Sequence, residues 1–194
     1  MLAGIFILLS NFDLQITIKN FEVIYMKKFA FVLIVFALIN SICYAEYIQT
    51  DSRISPDRFV FGGVRLGDTM GTVEKIFGKP PRYEHDEQNL MTGSVTDSWH
   101  YVWLPRDYTL HVSFSDGRVS EVTSTGKNKI MTQDGIEVGD SEFMIKQRYG
   151  EPSDLMKSAN TRNYIYRSSQ NKFHCLCFYV ESGVIRTISM MVEQ

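Results

Sequence analysis

The sequence predicts an α+β fold of two tandem units, each a short helical region followed by a three- or four-stranded antiparallel meander. Three observations predict it. A motif recurs at an offset of 72 residues without a gap: Gly63-Val64-Arg65-Leu66-Gly67-Asp68-Thr69 returns as Gly135-Ile136-Glu137-Val138-Gly139-Asp140-Ser141. Both copies run through spaced apolar residues to a Gly-x-Pro stop, Gly78-Lys79-Pro80 and Gly150-Glu151-Pro152. Both are then followed by alternating apolar and polar segments separated by turn signals. A fixed period of this kind marks a duplicated supersecondary unit.

Each element has a local reason. Val64-Arg65-Leu66 and Ile136-Glu137-Val138 alternate apolar and polar side chains, so they read as short extended lead-ins. Gly67 and Gly139 permit the tight turn that a side chain would resist. Asp68-Thr69 and Asp140-Ser141 put acceptors where a helix has orphan N–H groups. Val73, Ile76 and Phe77, matched by Ile145 and Tyr149, give the helix one apolar side. Gly78 and Gly150 suit the C′ position, and Pro80 and Pro152 prevent continuation. The motif is therefore structural. A phosphate-binding loop would need a glycine-rich turn ending in lysine, and neither copy has one.

Strands follow each helix. Trp99 to Trp103 ends at a Leu104-Pro105-Arg106-Asp107 turn, Thr109 to Phe114 alternates cleanly, and Ser115-Asp116-Gly117-Arg118 is a hairpin signal before Val119 to Ser124. The second copy offers Asn163 to Arg167, a turn over 168–172, Phe173 to Val180, a Glu181-Ser182-Gly183 turn, and Val184 to Val192. The expected organisation is a linker over 46–62, a first unit over 63–126 and a second over 127–194. Two such units can join edge to edge or pack face to face.

Upstream, Met26-Lys27-Lys28, an apolar run from Phe29 to Ile39, and Ala45 after Cys43-Tyr44 form the n-region, h-region and small-residue cut site of a secretory signal peptide. Cleavage after Ala45 would leave Glu46 as the N-terminus, and residues 1–25 read as a start-site artefact. The apolar run is shorter than the ~20 residues of a comfortable membrane span. Cys43 would anchor the chain to a membrane only if lipidated, but Asn40 and Ile42 stand where lipidation wants Leu and a small residue. The localisation expected is export, periplasmic or secreted, with outer-membrane association as a further option.

The whole chain has a formal charge of −2; residues 1–45 hold three lysines and two acidic residues, so without them it is −3. That balance excludes nucleic acid and an anionic membrane surface as expected partners. Cys175 and Cys177 share one face of a strand, about 6.6–7 Å apart along it, which is wide for a disulfide. They read as packed thiols, with an intermolecular disulfide as the alternative in an oxidising compartment. His85, Asp86, His100, His111 and the cysteines show no metal-ligand spacing. No nucleophile motif is present either, so no enzyme activity, cofactor or metal is expected.

Lead-in strand, Gly-Asp-(Ser/Thr), short helix, Gly-x-Pro and meander resemble the β-lactamase-inhibitor-protein-like fold. Tandem copies of that unit make up secreted β-lactamase inhibitory proteins, and a single copy resembles the SmpA/OmlA-type outer-membrane assembly lipoproteins. The resemblance covers residues 63–192; the inhibitors' disulfide pairs and the lipoproteins' lipobox are missing here. It implies an exported binding module whose partner is another exported or envelope protein, either an enzyme it inhibits or a component it helps assemble. The expected partner face is the outer side of the meanders, with Trp99, Tyr101, Trp103, Tyr164 and Tyr166 as anchors and His111 and Tyr179 beside them. The alternative is a small-ligand binder or enzyme using the cleft between the units, with His111 beside the thiols.

Overall fold

Gly67 and Gly139 turn the chain at φ of +84° and +100°, values that disfavour any side chain. In this computed structural model, which describes residues 46–86, 95–102 and 109–193, each neighbouring aspartate closes its own turn. Arg65 N donates to Asp68 Oδ2 at 2.8 Å, and Glu137 N to Asp140 Oδ2 at 3.0 Å. The aspartates therefore do not cap the helices, as the sequence suggested. Capping falls one residue later in the first copy, where Thr69 Oγ1 accepts from Thr72 N at 3.3 Å. In the second, Glu142 stands at the N-cap position without a side-chain capping bond, and Ser141 Oγ accepts from Phe143 N at 3.4 Å just ahead of the helix. Helices α1 (Met70–Phe77) and α2 (Phe143–Tyr149) follow. Gly78 and Gly150 end them with positive φ, their N–H groups bonded to Glu74 O and Lys146 O.

The described strands are β1 (Glu46–Gln49), β2 (Val60–Phe61), β3 (Val64–Arg65), β4 (Arg82–Asp86), β5 (Thr96–Val102), β6 (Thr109–Ser115), β7 (Arg118–Ser124), β8 (Asp154–Lys157), β9 (Thr161–Arg167), β10 (His174–Glu181) and β11 (Val184–Val192). Nine of them form one antiparallel sheet in the order β1-β8-β9-β10-β11-β7-β6-β5-β4, while β2 and β3 pair separately. Helix α1 thus precedes four strands, and α2 precedes four more. The two meanders join edge to edge through their last strands, Ile188–Met191 of β11 lying opposite Ser124–Glu121 of β7. The hairpin signals hold: Asp116-Gly117 and Ser182-Gly183 all take positive φ, as a two-residue type I′ turn requires. Each hairpin also slips register at the same place, before Phe114 and before Val180.

Residues 46–62 are not a linker. β1 pairs with β8 from Glu46↔Lys157 to Gln49↔Asp154, and Ile54, Phe59, Val60 and Phe61 are buried. A 3-10 turn over Pro56–Arg58 carries the chain between them. These apolar residues have no clean period of two, so their burial was not visible as a strand pattern.

The core lies on the helix side of the sheet. Leu110, Val112 and Phe114 of β6, Leu176, Phe178 and Val180 of β10, and Ile188 and Met190 of β11 are fully enclosed there. Val73 of α1 and Ile145 and Tyr149 of α2 close over them, and all belong to a single cluster. Equivalent rings dock each helix: Phe77 sits 5.6 Å from Tyr101, and Tyr149 sits 5.2 Å from Tyr166, centroid to centroid.

Candidate partner-binding surface

Antiparallel partners directly opposite one another share a face of the sheet, so the register sorts every predicted anchor. Trp99 lies opposite Val112 and Tyr101 opposite Leu110. Tyr164 lies opposite Phe178 and Tyr166 opposite Leu176. All four rings therefore point to the helix side, with exposures of 7, 3, 3 and 0%. They are core residues and cannot anchor a partner. The three tyrosine hydroxyls agree with the placement. Tyr101 donates to Gly78 O and Tyr166 to Gly150 O, each at 2.9 Å, tying the strands to the carbonyls that end the two helices. Burial pushes the Tyr101 phenol up to about 12 and raises Tyr166 further. Tyr164 donates to the Glu142 carboxylate, which Arg162 Nη1 also meets at 2.7 Å. Trp103 lies outside the described residues, as do Cys43 and the expected signal peptide.

His111 and Tyr179 do lie on the opposite, outer face. A transverse row runs Gln49–Asp154–Ile165–Cys177–Ser189–Thr123–His111–His100–Arg82, each residue paired with the next. Within it His111 stacks on His100 at 4.7 Å, and Ser113 Oγ lies 3.2 Å from its Nε2. Burial lowers the His111 pKa, with Glu121 opposing. Along the same face Tyr47 pairs with Met156, Met156 with Asn163, and Asn163 with Tyr179. The apolar members of that row are open to solvent: Tyr47 at 54%, Met156 at 45% and Tyr179 at 40%.

A polar network holds this corner rigid. The buried Asp154 carboxylate accepts from Tyr47 Oη at 2.6 Å and from Arg167 Nε at 2.8 Å. Arg167 also grips Glu193, holding that carboxyl below its usual range. The bond to Asp154 raises the Tyr47 pKa, keeping the phenol protonated. Arg167 of β9 thus ties Asp154 of β8 to Glu193, the residue after β11, and Asp154 in turn holds Tyr47 of β1. Tyr47 was missed in the sequence because 46–62 read as a linker, and Met156 because no strand was read between Pro152 and Asn163; for Tyr47 the alternation in Glu46-Tyr47-Ile48-Gln49 was the available signal.

β1 is one outer edge of the sheet and β4 the other. β4 carries Arg82, Glu84 and His85, the kind of charged edge that discourages further pairing. β1 offers Tyr47, Ile48 and Gln49 after a single charge, Glu46, which is paired with Lys157 of β8. Cys175 and Cys177 are free thiols on the outer face, Cys175 within 3.5 Å of Arg167 Nη1. Burial pushes them up to about 11 and about 12, so both stay protonated at neutral pH. Among the described residues no group of three or more His, Cys, Asp or Glu is placed to hold a metal ion, and no helix is long and apolar enough to cross a membrane.

No family model matches this chain, and no curated protein matches it. Among solved structures it is similar to an extracellular SCP-domain protein of Bacillus anthracis, at 10% identity and a TM-score of 0.44, over 77% of this chain and 49% of that one. A cysteine-rich secretory protein of Staphylococcus aureus shares 12% identity at a TM-score of 0.42, over 71% of this chain and 46% of the other. A putative β-lactamase inhibitor protein of Streptococcus mutans shares 16% identity at a TM-score of 0.29, over 66% and 85%. The chain spans about half the length of the first two. With TM-scores below 0.5, none of the three assigns it a family or a function.

Proposed function

We propose that this chain is an exported, non-catalytic binding module of two tandem β-lactamase-inhibitor-like units, and that it docks another exported or envelope protein on the outer sheet face beside β1. One observation carries the reading: exposed Tyr47 and Met156 lie side by side on the outer face, with Tyr179 beyond Asn163 in the same row, next to an edge strand whose one charge, Glu46, is paired with Lys157. The partner that fits is one offering an extended segment, adding a strand to β1 while its alternate side chains meet the row. Whether that partner is a secreted enzyme held inactive or an envelope component being assembled follows from its identity. The tandem reading is supported by paired details: matching Asp-closed turns, matching hairpin slips, and matching tyrosine bonds to the helix-ending glycines. The alternative, catalysis by a thiol beside His111, is disfavoured because burial keeps both thiols protonated.

The test is site-specific photo-crosslinking in the native envelope. A photoreactive phenylalanine analogue at position 179 should trap one exported protein, while the same analogue at position 166 should trap none. With that protein purified, the Tyr47→Ala/Tyr179→Ala pair should weaken binding at least about tenfold, since a hot-spot ring contributes ~2 kcal/mol. Undiminished binding by the double variant would sink the assignment of this face.

A further inference from the structure

Two cavities open side by side where the lead-in segment, the β6–β7 hairpin and the β9–β10 turn converge. They measure about 190 and 270 Å³ and share Leu66 and His174 as a common wall. Together they reach the size of small ligand sites, which begin at roughly 300 Å³. Their apolar surface includes Phe59 in one and Val192 in the other. His174 leans on Phe59 at 6.4 Å, and burial lowers its pKa, so it adds a neutral wall.

Each cavity carries one arginine: Arg65 in the first and Arg118 in the second. Arg118 Nη1 is fixed in place by donating to Gly67 O at 3.0 Å. No carboxylate lines either cavity, and those nearest in sequence keep their charge while holding hydrogen bonds or ion pairs of their own. Asp68 accepts from the Arg65 amide, Asp57 from Ser55, Asp116 from the Val95 amide, and Glu193 is held by Arg167. On a chain of net negative charge, the groove therefore offers two cations flanking an apolar wall.

We propose that this groove binds an extended acidic segment of the protein partner. Two carboxylates would sit on Arg65 and Arg118, and an apolar side chain between them would lie against Leu66 and His174. Guanidinium forks match carboxylates by geometry as well as by charge. The proposal rests on the protein-binding reading above and adds the chemistry of what is bound.

The experiment titrates the isotope-labelled protein with acetyl-Asp-Leu-Phe-Asp-amide and with its Lys-Leu-Phe-Lys counterpart, following backbone amide shifts. The acidic peptide should move Leu66, His174 and Val192 saturably, more weakly in high salt, and the basic peptide should not. Arg65→Glu with Arg118→Glu should weaken the acidic peptide at least about tenfold, while the unfolding midpoint falls by no more than the few degrees that losing the Arg118–Gly67 bond costs. Saturation by the basic peptide, unchanged binding by the double variant, or no saturation in the millimolar range would overturn the proposal. Peptide binding that persists in Tyr47→Ala/Tyr179→Ala, with no crosslink at position 179, refutes the sheet face and leaves the groove. Crosslinking at 179 without peptide binding does the reverse.

Discussion

Tyr166 is the sharpest place to test the inward placement of the aromatic rings. Its ring is fully buried between Tyr149 and Phe178, at 5.2 and 6.0 Å, and its hydroxyl donates to Gly150 O at 2.9 Å. Tyr166→Phe keeps the packing and leaves that carbonyl without its donor. A neutral hydrogen bond of this kind contributes ~0.5–1.5 kcal/mol, and for a chain of this size 1 kcal/mol moves Tm by roughly 2–4 °C. Tyr166→Ala also empties an aromatic core position, which costs ~3–5 kcal/mol, or roughly 10 °C or more. The expected ladder in scanning calorimetry is therefore wild type, a small step down for Phe, and a large step for Ala. Tyr101→Phe should match Tyr166→Phe, because its hydroxyl meets Gly78 O at the same distance. If Tyr166→Ala unfolded within a degree or so of wild type while partner capture collapsed, the ring would face solvent and the register argued here would be wrong.

Two further outcomes follow from the titrating groups. Burial depresses the pKa values of His111 and His174, so the unfolded chain binds more protons just below the usual value of about 6.5. Stability should therefore rise with pH through the window below 6.5 and level off above it; His111→Asn should shallow the rise in urea midpoints, whereas a fall with pH would refute the burial argument. At pH 8 the folded thiols, at about 11 and about 12, should be thiolate at no more than roughly one part in a thousand. Ellman's reagent should label them far more slowly in the native protein than in urea, and immediate labelling of both would contradict their placement.

Much of the fold was legible because glycine, aspartate and proline act locally. The Gly-Asp turns, the short helices, their Gly-x-Pro ends and the two hairpins stand where the sequence put them. The role of the aspartates was not legible, since a carboxylate beside a helix start can serve the helix or the preceding turn. Nor was the face of the aromatic stripe. Trp99 and Tyr101 alternate perfectly well on either face, and only pairing with Val112 and Leu110 decides between them. That register depends on contacts distant in sequence. The proposed partner face suffered from the same limit: Tyr47, Met156 and Tyr179 come from three separate strands, and nothing in one strand announces the others.

The strand order also sets a timetable. β1 finds its partner only when β8 exists, 111 residues away at the Glu46–Lys157 pair. β7 has only one neighbour until β11 arrives, and β11 reaches it through Ile188 to Met191, near the last described residue. Contacts so distant in sequence form slowly. Until Met191 is made, the β7 edge that β11 covers stays unpaired, a bare strand edge open to pairing with another chain.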